Sequence, residues 1–232
     1  MVGHIDSIET LGLVDGPGIR VVVFLQGCPL RCLFCHNPET WAVNDKFVIT
    51  PQGLVRHIYK YRNYFGTDGG VTFSGGEPLF QHDFLLECLK LCKKMGINTC
   101  LDTSGSCQGY EDILKYVDLV IWDIKALDND GYCKITGKDI AVSLDFLRYC
   151  QDKGIRMWIR QVIVPGINDN TMYINKLREF IRPLKNIEKV ELLPYHLLGV
   201  SKYKQLGIPY RLDGVPAMDK EKCDELYRIL MS

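Results

Sequence analysis

Short apolar runs, most of them rich in β-branched residues, recur along the chain at Ile19–Leu25, Val71–Phe73, Ile97–Leu101, Leu119–Ile124, Met157–Val164 and Val190–Leu193. Runs of this kind predict strands buried on both faces. Amphipathic segments alternate with them. Over Gln81–Met95, Phe84, Leu85, Cys88, Leu91, Cys92 and Met95 fall at spacings of one, three or four, while Glu87, Lys90, Lys93 and Lys94 take the other side and Gly96 supplies a stop. Similar segments near Leu54–Tyr64, Tyr110–Tyr116, Val142–Lys153 and Thr171–Leu184 complete about six strand–helix units, and right-handed crossovers make their sheet parallel. A closed barrel of eight such units takes about 250 residues. Six units in 232 residues therefore predict an α/β fold of the partial, laterally open (β/α)6 TIM-like barrel type, with a doubly wound sheet as the competitor. The length suits one domain spanning residues 1–232.

In barrels of this kind the active site lies where the strands end. The unusual polar residues follow that rule. Gln26-Gly27 and a cysteine cluster follow the first run, Ser74-Gly75-Gly76-Glu77-Pro78 the second and Asp102-Thr103-Ser104-Gly105 the third. Asp123 and Lys125 close the fourth, Arg160 stands within the fifth, and Pro194-Tyr195-His196 follows the sixth. Each alone is ordinary turn material, but together they predict one shared rim.

Charge narrows the function. Lys and Arg number 28, matching 28 Asp and Glu, with no run of like charges, which argues against nucleic acid or an anionic membrane as partner. The first ten residues lack an export pattern and no apolar stretch approaches a membrane span, so a cytoplasmic protein is expected.

Ten cysteines without an export signal are expected as thiols or metal ligands rather than disulfides. Seven are scattered, and the Cys88/Cys92 pair one helical turn apart reads as small buried hydrophobes. The other three form Cys28-x3-Cys32-x2-Cys35. Structural zinc needs four ligands, usually as two separated pairs. The Cys32-Leu33-Phe34-Cys35-His36 match to haem attachment has no use for Cys28, and neither has a C-x-x-C redox pair. A 4Fe-4S cluster ordinarily takes four cysteines. Three leave one iron free to bind a small molecule.

C-x3-C-x2-C resembles the cluster motif of the radical S-adenosylmethionine superfamily. VDGPGIR (Val14–Arg20), FLQGCPLRCLFCHNPETW (Phe24–Trp41), TFSGGEP (Thr72–Pro78), LDTSG (Leu101–Gly105), DIK (Asp123–Lys125), WIRQVIVPG (Trp158–Gly166) and ELLPYH (Glu191–His196) resemble, more narrowly, the activases of glycyl radical enzymes. Asn37–Thr72 carries no further cysteine, so one cluster is expected, as in the branch that serves pyruvate formate-lyase. The resemblance implies that Cys28, Cys32 and Cys35 ligate three irons of one 4Fe-4S cluster. It implies S-adenosylmethionine contacts at Phe34, Cys35, His36, Gly75, Gly76, Glu77, Asp123, Ile124, Lys125, Arg160 and His196. Asp102, Thr103 and Asp123 become candidates for a monovalent cation, and Asp15 for contact with the protein substrate.

Blander readings stand beside these. His36, His196 and Arg160 could be internally bonded polar groups, Gly75-Gly76-Glu77 a plain strand-to-helix turn, and Asp123/Lys125 a mutually satisfied pair. The activity implied is reductive cleavage of S-adenosylmethionine to a 5'-deoxyadenosyl radical, which takes hydrogen from a glycine of pyruvate formate-lyase. Reduced flavodoxin or a similar carrier is the implied electron donor and a monomer the expected state. The rivals are an activase of another glycyl radical enzyme, a radical enzyme acting on a small molecule, a plain iron–sulfur electron carrier and a metal-free structural protein.

Overall fold

The computed structural model describes residues 1–232. Its chain opens with strand β1 (Gly3–Gly12), which pairs antiparallel with β2 (Arg20–Leu25) across the turn at Asp15–Gly18. After the cysteine loop, β3 (Val48–Ile49) pairs antiparallel with β1 and leads into α1 (Pro51–Tyr59). The Thr50 side chain caps α1 by accepting from the Gly53 amide, and Pro51 occupies a first-turn position where a missing N–H does no harm.

Strand β4 (Gly70–Gly75), α2 (His82–Lys94), β5 (Asn98–Thr103), α3 (Glu111–Leu114), β6 (Leu119–Ile124), α4 (Asn129–Thr136) and α5 (Ala141–Asp152) follow. The chain then runs through β7 (Met157–Ile163), α6 (Thr171–Ile181), β8 (Ile187–Pro194), α7 (Val200–Leu206) and α8 (Lys220–Met231). The sheet order is β3-β1-β2-β4-β5-β6-β7-β8, and the six strands from β2 to β8 in that order are all parallel. They are the six apolar runs of the sequence, and because β8 and β3 remain as edges the sheet stays open.

Three features depart from expectation. Strand β1 fell in a segment that its sequence does not mark, because a register shift between Ile5 and Ser7 breaks the alternation of apolar positions. The helix expected from Leu54 to Tyr64 starts earlier, at its proline, and ends at Tyr59 before a single 3-10 turn at Arg62–Tyr64. Helices α4, α7 and α8 are additional.

Alternation along the parallel strands decides what faces the barrel interior. On β6, Val120, Trp122 and Ile124 join the main core, whereas Leu119 and Ile121 pack inward with Cys100. Matched positions on neighbouring strands continue the inner face: Phe24 beside Ser74, Asp102 beside Ile121, Asp123 beside Arg160, Arg160 beside Glu191, and Val162 beside Leu193. The inner face is thus mostly apolar low in the barrel, where Arg20 and Thr72 are the buried exceptions, and charged toward the strand ends. Cys88 and Cys92 lie fully buried in the main core, as small hydrophobes do. No helix is long and apolar enough to cross a membrane.

Candidate functional site

A cavity of about 260 Å³ opens at the C-terminal ends of the strands. Cys28, Cys32 and Cys35 line one wall with Phe34 and His36, while Gly75, Gly76, Asp102, Thr103, Asp123, Lys125 and Arg160 line the others, and Asp15 reaches in from the β1–β2 turn. Sequence positions from every expected strand end except the last therefore meet in one space. Glu77, Ile124 and His196 stand outside the lining.

The cysteine loop is held on several sides. The amides of Gly27 and Cys28 donate to the carbonyls of Thr40 and Trp41 at 2.7 and 3.3 Å. Arg31 and Leu33 donate to the Thr136 and Ile135 carbonyls at the end of α4, which a helix terminus leaves without internal partners. The Glu77 amide donates to the Gly27 carbonyl at 2.9 Å, and the Gly76 amide to the Leu25 carbonyl at 2.8 Å. Two successive glycines are needed for this approach. A Cβ on Gly75 would lie 2.3 Å from the Leu25 nitrogen, and one on Gly76 would lie 2.5 Å from the Gly27 oxygen. The Gly-Gly turn is thus a close backbone packing of β4 on the cysteine loop as well as part of the cavity wall.

Glu77 works beneath that wall. Its buried carboxylate accepts from the Thr103 hydroxyl (2.5 Å), the Ser104 amide and hydroxyl (3.0 and 2.6 Å) and the Leu79 amide (3.2 Å). It ties the turns after β4 and β5 together, and burial still pushes its pKa above the ordinary carboxylate value despite these bonds. Ile124 turns its side chain to the helix side because Asp123 and Lys125 take the inner one, and two successive strand residues cannot share a face. His196 stacks on His36 at 3.8 Å between ring centroids, and its carbonyl lies 3.0 Å from the His36 Nε2. It stands behind the ring that lines the cavity. Burial and the neighbouring imidazole lower the His36 pKa to about 4, so its ring is neutral at physiological pH.

Charges in the cavity are arranged in opposition. Lys125 Nζ donates to Asp123 Oδ2 at 2.8 Å. Burial alone would lower the lysine's pKa, but Asp123 and the negative charge of a Cys32 thiolate carry it above the ordinary value. Arg160 Nε donates to Glu191 at 2.9 Å, and its other nitrogens face Asp15 at 3.8 Å, Asp102 at 3.9 Å and the Val14 carbonyl. Asp102 accepts from the Ser74 hydroxyl at 2.6 Å through Oδ2, while its buried Oδ1 has no partner. Burial and the nearby Asp123 push the Asp102 pKa up to about 7. Ser74, Ser104 and Trp41 line the same space although sequence reasoning assigned them no role; they sit inside motifs already quoted, and only that adjacency marks them.

All ten cysteines are unpaired, and no fourth one lines the cavity. Burial raises the three cavity thiols, Cys32 to about 11, so ligation to metal must displace protons. No three His, Cys, Asp or Glu side chains converge as the ligand set of one ion. Three spaced thiols on one wall suit a multi-iron cluster, in which each thiolate takes its own metal atom. The residues fit such a group, and the glycines, Lys125 and the unpaired Asp102 oxygen leave polar capacity beside it.

Comparison with known proteins agrees with this donor set. Residues 22–175 match the sequence model of the radical SAM superfamily. The chain is 51% identical over 232 residues to the pyruvate formate-lyase-activating enzyme of Clostridium pasteurianum, covering 99% of this chain and 98% of that one. It is 47% identical to the protein of the same name from Staphylococcus epidermidis, covering 97% and 94%. Among solved structures, a domain of pyruvate-formate lyase-activating enzyme from Bacteroides vulgatus superposes with a TM-score of 0.57 at 26% identity, covering 70% of this chain and 93% of that one.

Proposed function

The chain belongs to the radical SAM superfamily and, within it, to the pyruvate formate-lyase-activating enzymes, and from that premise we propose that it generates the glycyl radical of pyruvate formate-lyase at the expense of S-adenosylmethionine. The observation that carries this reading is the meeting of Cys28, Cys32 and Cys35 with Lys125, Gly75 and Gly76 around one cavity. Bound there, a 4Fe-4S cluster would supply the single electron needed to cleave the sulfonium into methionine and a 5'-deoxyadenosyl radical able to take the hydrogen from a glycine Cα.

The protein's task is placement and exclusion. The three cysteines would hold the cluster as thiolates, and with no fourth cysteine in the cavity a coordination position would be left for S-adenosylmethionine. Lys125 offers its ammonium to that carboxylate, and its pairing with Asp123 keeps the charge oriented when the cavity is empty of ligand. The Gly75-Gly76 wall presents backbone rather than side chain to the amino group. Phe24, Leu30, Phe34, Val162 and Leu193 give the cavity an apolar side that keeps water from a reactive carbon radical. Asp102 and Asp123 receive a monovalent cation, supported by the unpartnered Oδ1 of Asp102; the Thr103 hydroxyl already donates to Glu77 and offers only a lone pair. Asp15, preceded by exposed Leu13 and Val14, meets the glycine-bearing loop of the partner. An external carrier of the reduced-flavodoxin kind delivers the electron, and a cytoplasmic monomer carries the whole reaction.

The test mixes anaerobically reconstituted protein, S-adenosylmethionine, a reductant and unactivated pyruvate formate-lyase, and follows the glycine-centred doublet by electron paramagnetic resonance. The doublet and 5'-deoxyadenosine appear together with the native chain and vanish with Cys32→Ala. Formation of 5'-deoxyadenosine without the doublet directs the chemistry to another substrate. A reduced cluster that never turns over S-adenosylmethionine makes the protein an electron carrier and defeats the proposal.

A further inference from the structure

The two halves of the cysteine loop are held by different parts of the molecule. Gly27 to Leu33 hangs mainly on the Thr40–Trp41 turn, the Gly-Gly turn and the end of α4, with one bond from Arg211 to the Arg31 carbonyl. Cys35 to Glu39 leans instead on α7 and, through the His36 ring, on His196 after β8, both beyond the 22–175 span matched by the superfamily. Three positions of one helical face make the α7 contact, since Gly199, Lys202 and Tyr203 stand three and four residues apart. The Tyr203 hydroxyl donates to the Cys35 carbonyl at 3.0 Å. Lys202 Nζ donates to Asn37 Oδ1 at 3.0 Å and to the Glu39 carboxylate. Gly199 allows the approach, because a Cβ there would come within 2.9 Å of the His36 Cα.

The contact is built rather than incidental. Tyr203 is only 3% exposed, with Trp41 edge-on at 5.7 Å and Tyr210 at 4.7 Å. Tyr210 in turn shares a 2.5 Å hydrogen bond with the buried Tyr195 hydroxyl at the end of β8, so the ring is braced from the barrel itself. Lys202 reaches the segment beside Cys35 with a charge-assisted bond, the stronger kind. We propose that α7 is the positioning element for the third cluster ligand, with Tyr203 fixing Cys35 and Lys202 as the second anchor. This rests on the reading of Cys35 as an iron ligand. A thiolate whose backbone is held from behind stays aimed at its iron when the cluster is exposed on its open side, before S-adenosylmethionine covers it.

The experiment compares anaerobically reconstituted wild type, Y203F, K202M and, as a control exposed on the same helix, K204M. Release of iron to a chelator without S-adenosylmethionine is measured together with amide hydrogen exchange across residues 34–39 and the thermal midpoint. Y203F keeps the ring that packs on Trp41 and Tyr210 and loses only the donor. Y203F and K202M are expected to release iron roughly fivefold faster, the weight of one hydrogen bond, with faster exchange confined to 34–39 and K204M unchanged. Wild-type iron release in both variants, with loss appearing only in Y203A, assigns Tyr203 to packing and overturns the proposal. Should wild type itself bind no iron, the cluster assignment fails; exchange at 34–39 still reads the clasp, and no difference there overturns it as well.

Discussion

Two buried arginines grip the same turn from opposite directions, and they do it with opposite chemistry. Arg20 opens β2 at the floor of the barrel and is 0% exposed. It donates to the Thr72 hydroxyl (2.7 Å), to the carbonyls of Pro17 (3.0 Å), Asp68 (3.1 Å) and Val71 (2.7 Å), and to Asn98 Oδ1 (3.0 Å). Every one of those acceptors is neutral. Burial pulls its pKa below the ordinary guanidinium value. Arg160, inside the cavity, faces Glu191, Asp15 and Asp102; although burial opposes it, the carboxylates of Asp102, Asp123 and Glu191 raise its pKa. Arg20 holds the Pro17 carbonyl and Arg160 the Val14 carbonyl, so the turn carrying Asp15 is suspended between them. A buried cation met by neutral acceptors fixes backbone, whereas one met by carboxylates sets the field of a site that ligands can rebalance.

The contrast is open to attack at both ends. Arg20→Met leaves a set of buried acceptors without donors and is expected to cost about 3–5 kcal/mol in urea unfolding. Arg20→Lys recovers little of it, since an ammonium cannot reproduce the planar fork. A loss under about 1 kcal/mol would show that the floor is not built on this residue. Arg160→Gln is expected to leave the fold largely intact while weakening S-adenosylmethionine binding to the holoprotein by about 2–3 kcal/mol, read by titration. If it unfolds the protein instead, the two arginines are alike.

Asp102→Asn addresses the carboxylate side through pH. In the fold this carboxyl keeps its proton until about pH 7, against an ordinary value of 3.8. The unfolded chain has released that proton by then, so the native state binds more protons between the two values. The contribution of this carboxyl to stability therefore declines as pH rises from about 4 to about 7 and is level above. The variant should flatten that decline, gaining on the order of 2 kcal/mol at pH 8 in urea midpoints measured across the range on metal-free protein. An unchanged profile would mean that Arg160 already neutralises Asp102. The smallest effect belongs to Thr72→Val. Its hydroxyl accepts from Arg20 and donates to the Asp15 carbonyl at 2.6 Å, and losing it should cost about 1 kcal/mol by the same unfolding measurement.

Five of the parallel strands were readable because buried residues dominate them and so they appear as apolar runs, whereas β8, an edge strand without a fully buried residue, shows only the short stretch Val190–Leu193. Strand β1 was not readable, since its register shift at Ile5–Ser7 spoils the pattern. Helix α7 was hidden for another reason: in VSKYKQL only Tyr203 is buried, so no apolar stripe exists to be seen. Among site residues, the cysteines and Lys125 were found by spacing and by their place after strands. Glu77 sits in the quoted motif, yet its carboxylate is engaged with Thr103 and Ser104, partners brought near only by the pairing of β4 with β5. His196 likewise ends one ring away from the cavity, behind His36.

What the chain determined by itself is local and periodic: the alternation of strands and helices, the three-thiol spacing, and the gathering of odd residues at one end of each strand. These follow from side-chain periodicity and short-range backbone chemistry, which operate over a few residues. Only the tertiary structure decided which carboxylate meets which cation, why Gly75 and Gly76 must lack side chains, and that a short helix near the end of the chain backs the third cysteine. Such pairings join positions from 31 to 168 residues apart, as in Arg160 with Glu191 and Tyr203 with Cys35. Their distances are set by strand register and helix packing, to which no local pattern is sensitive.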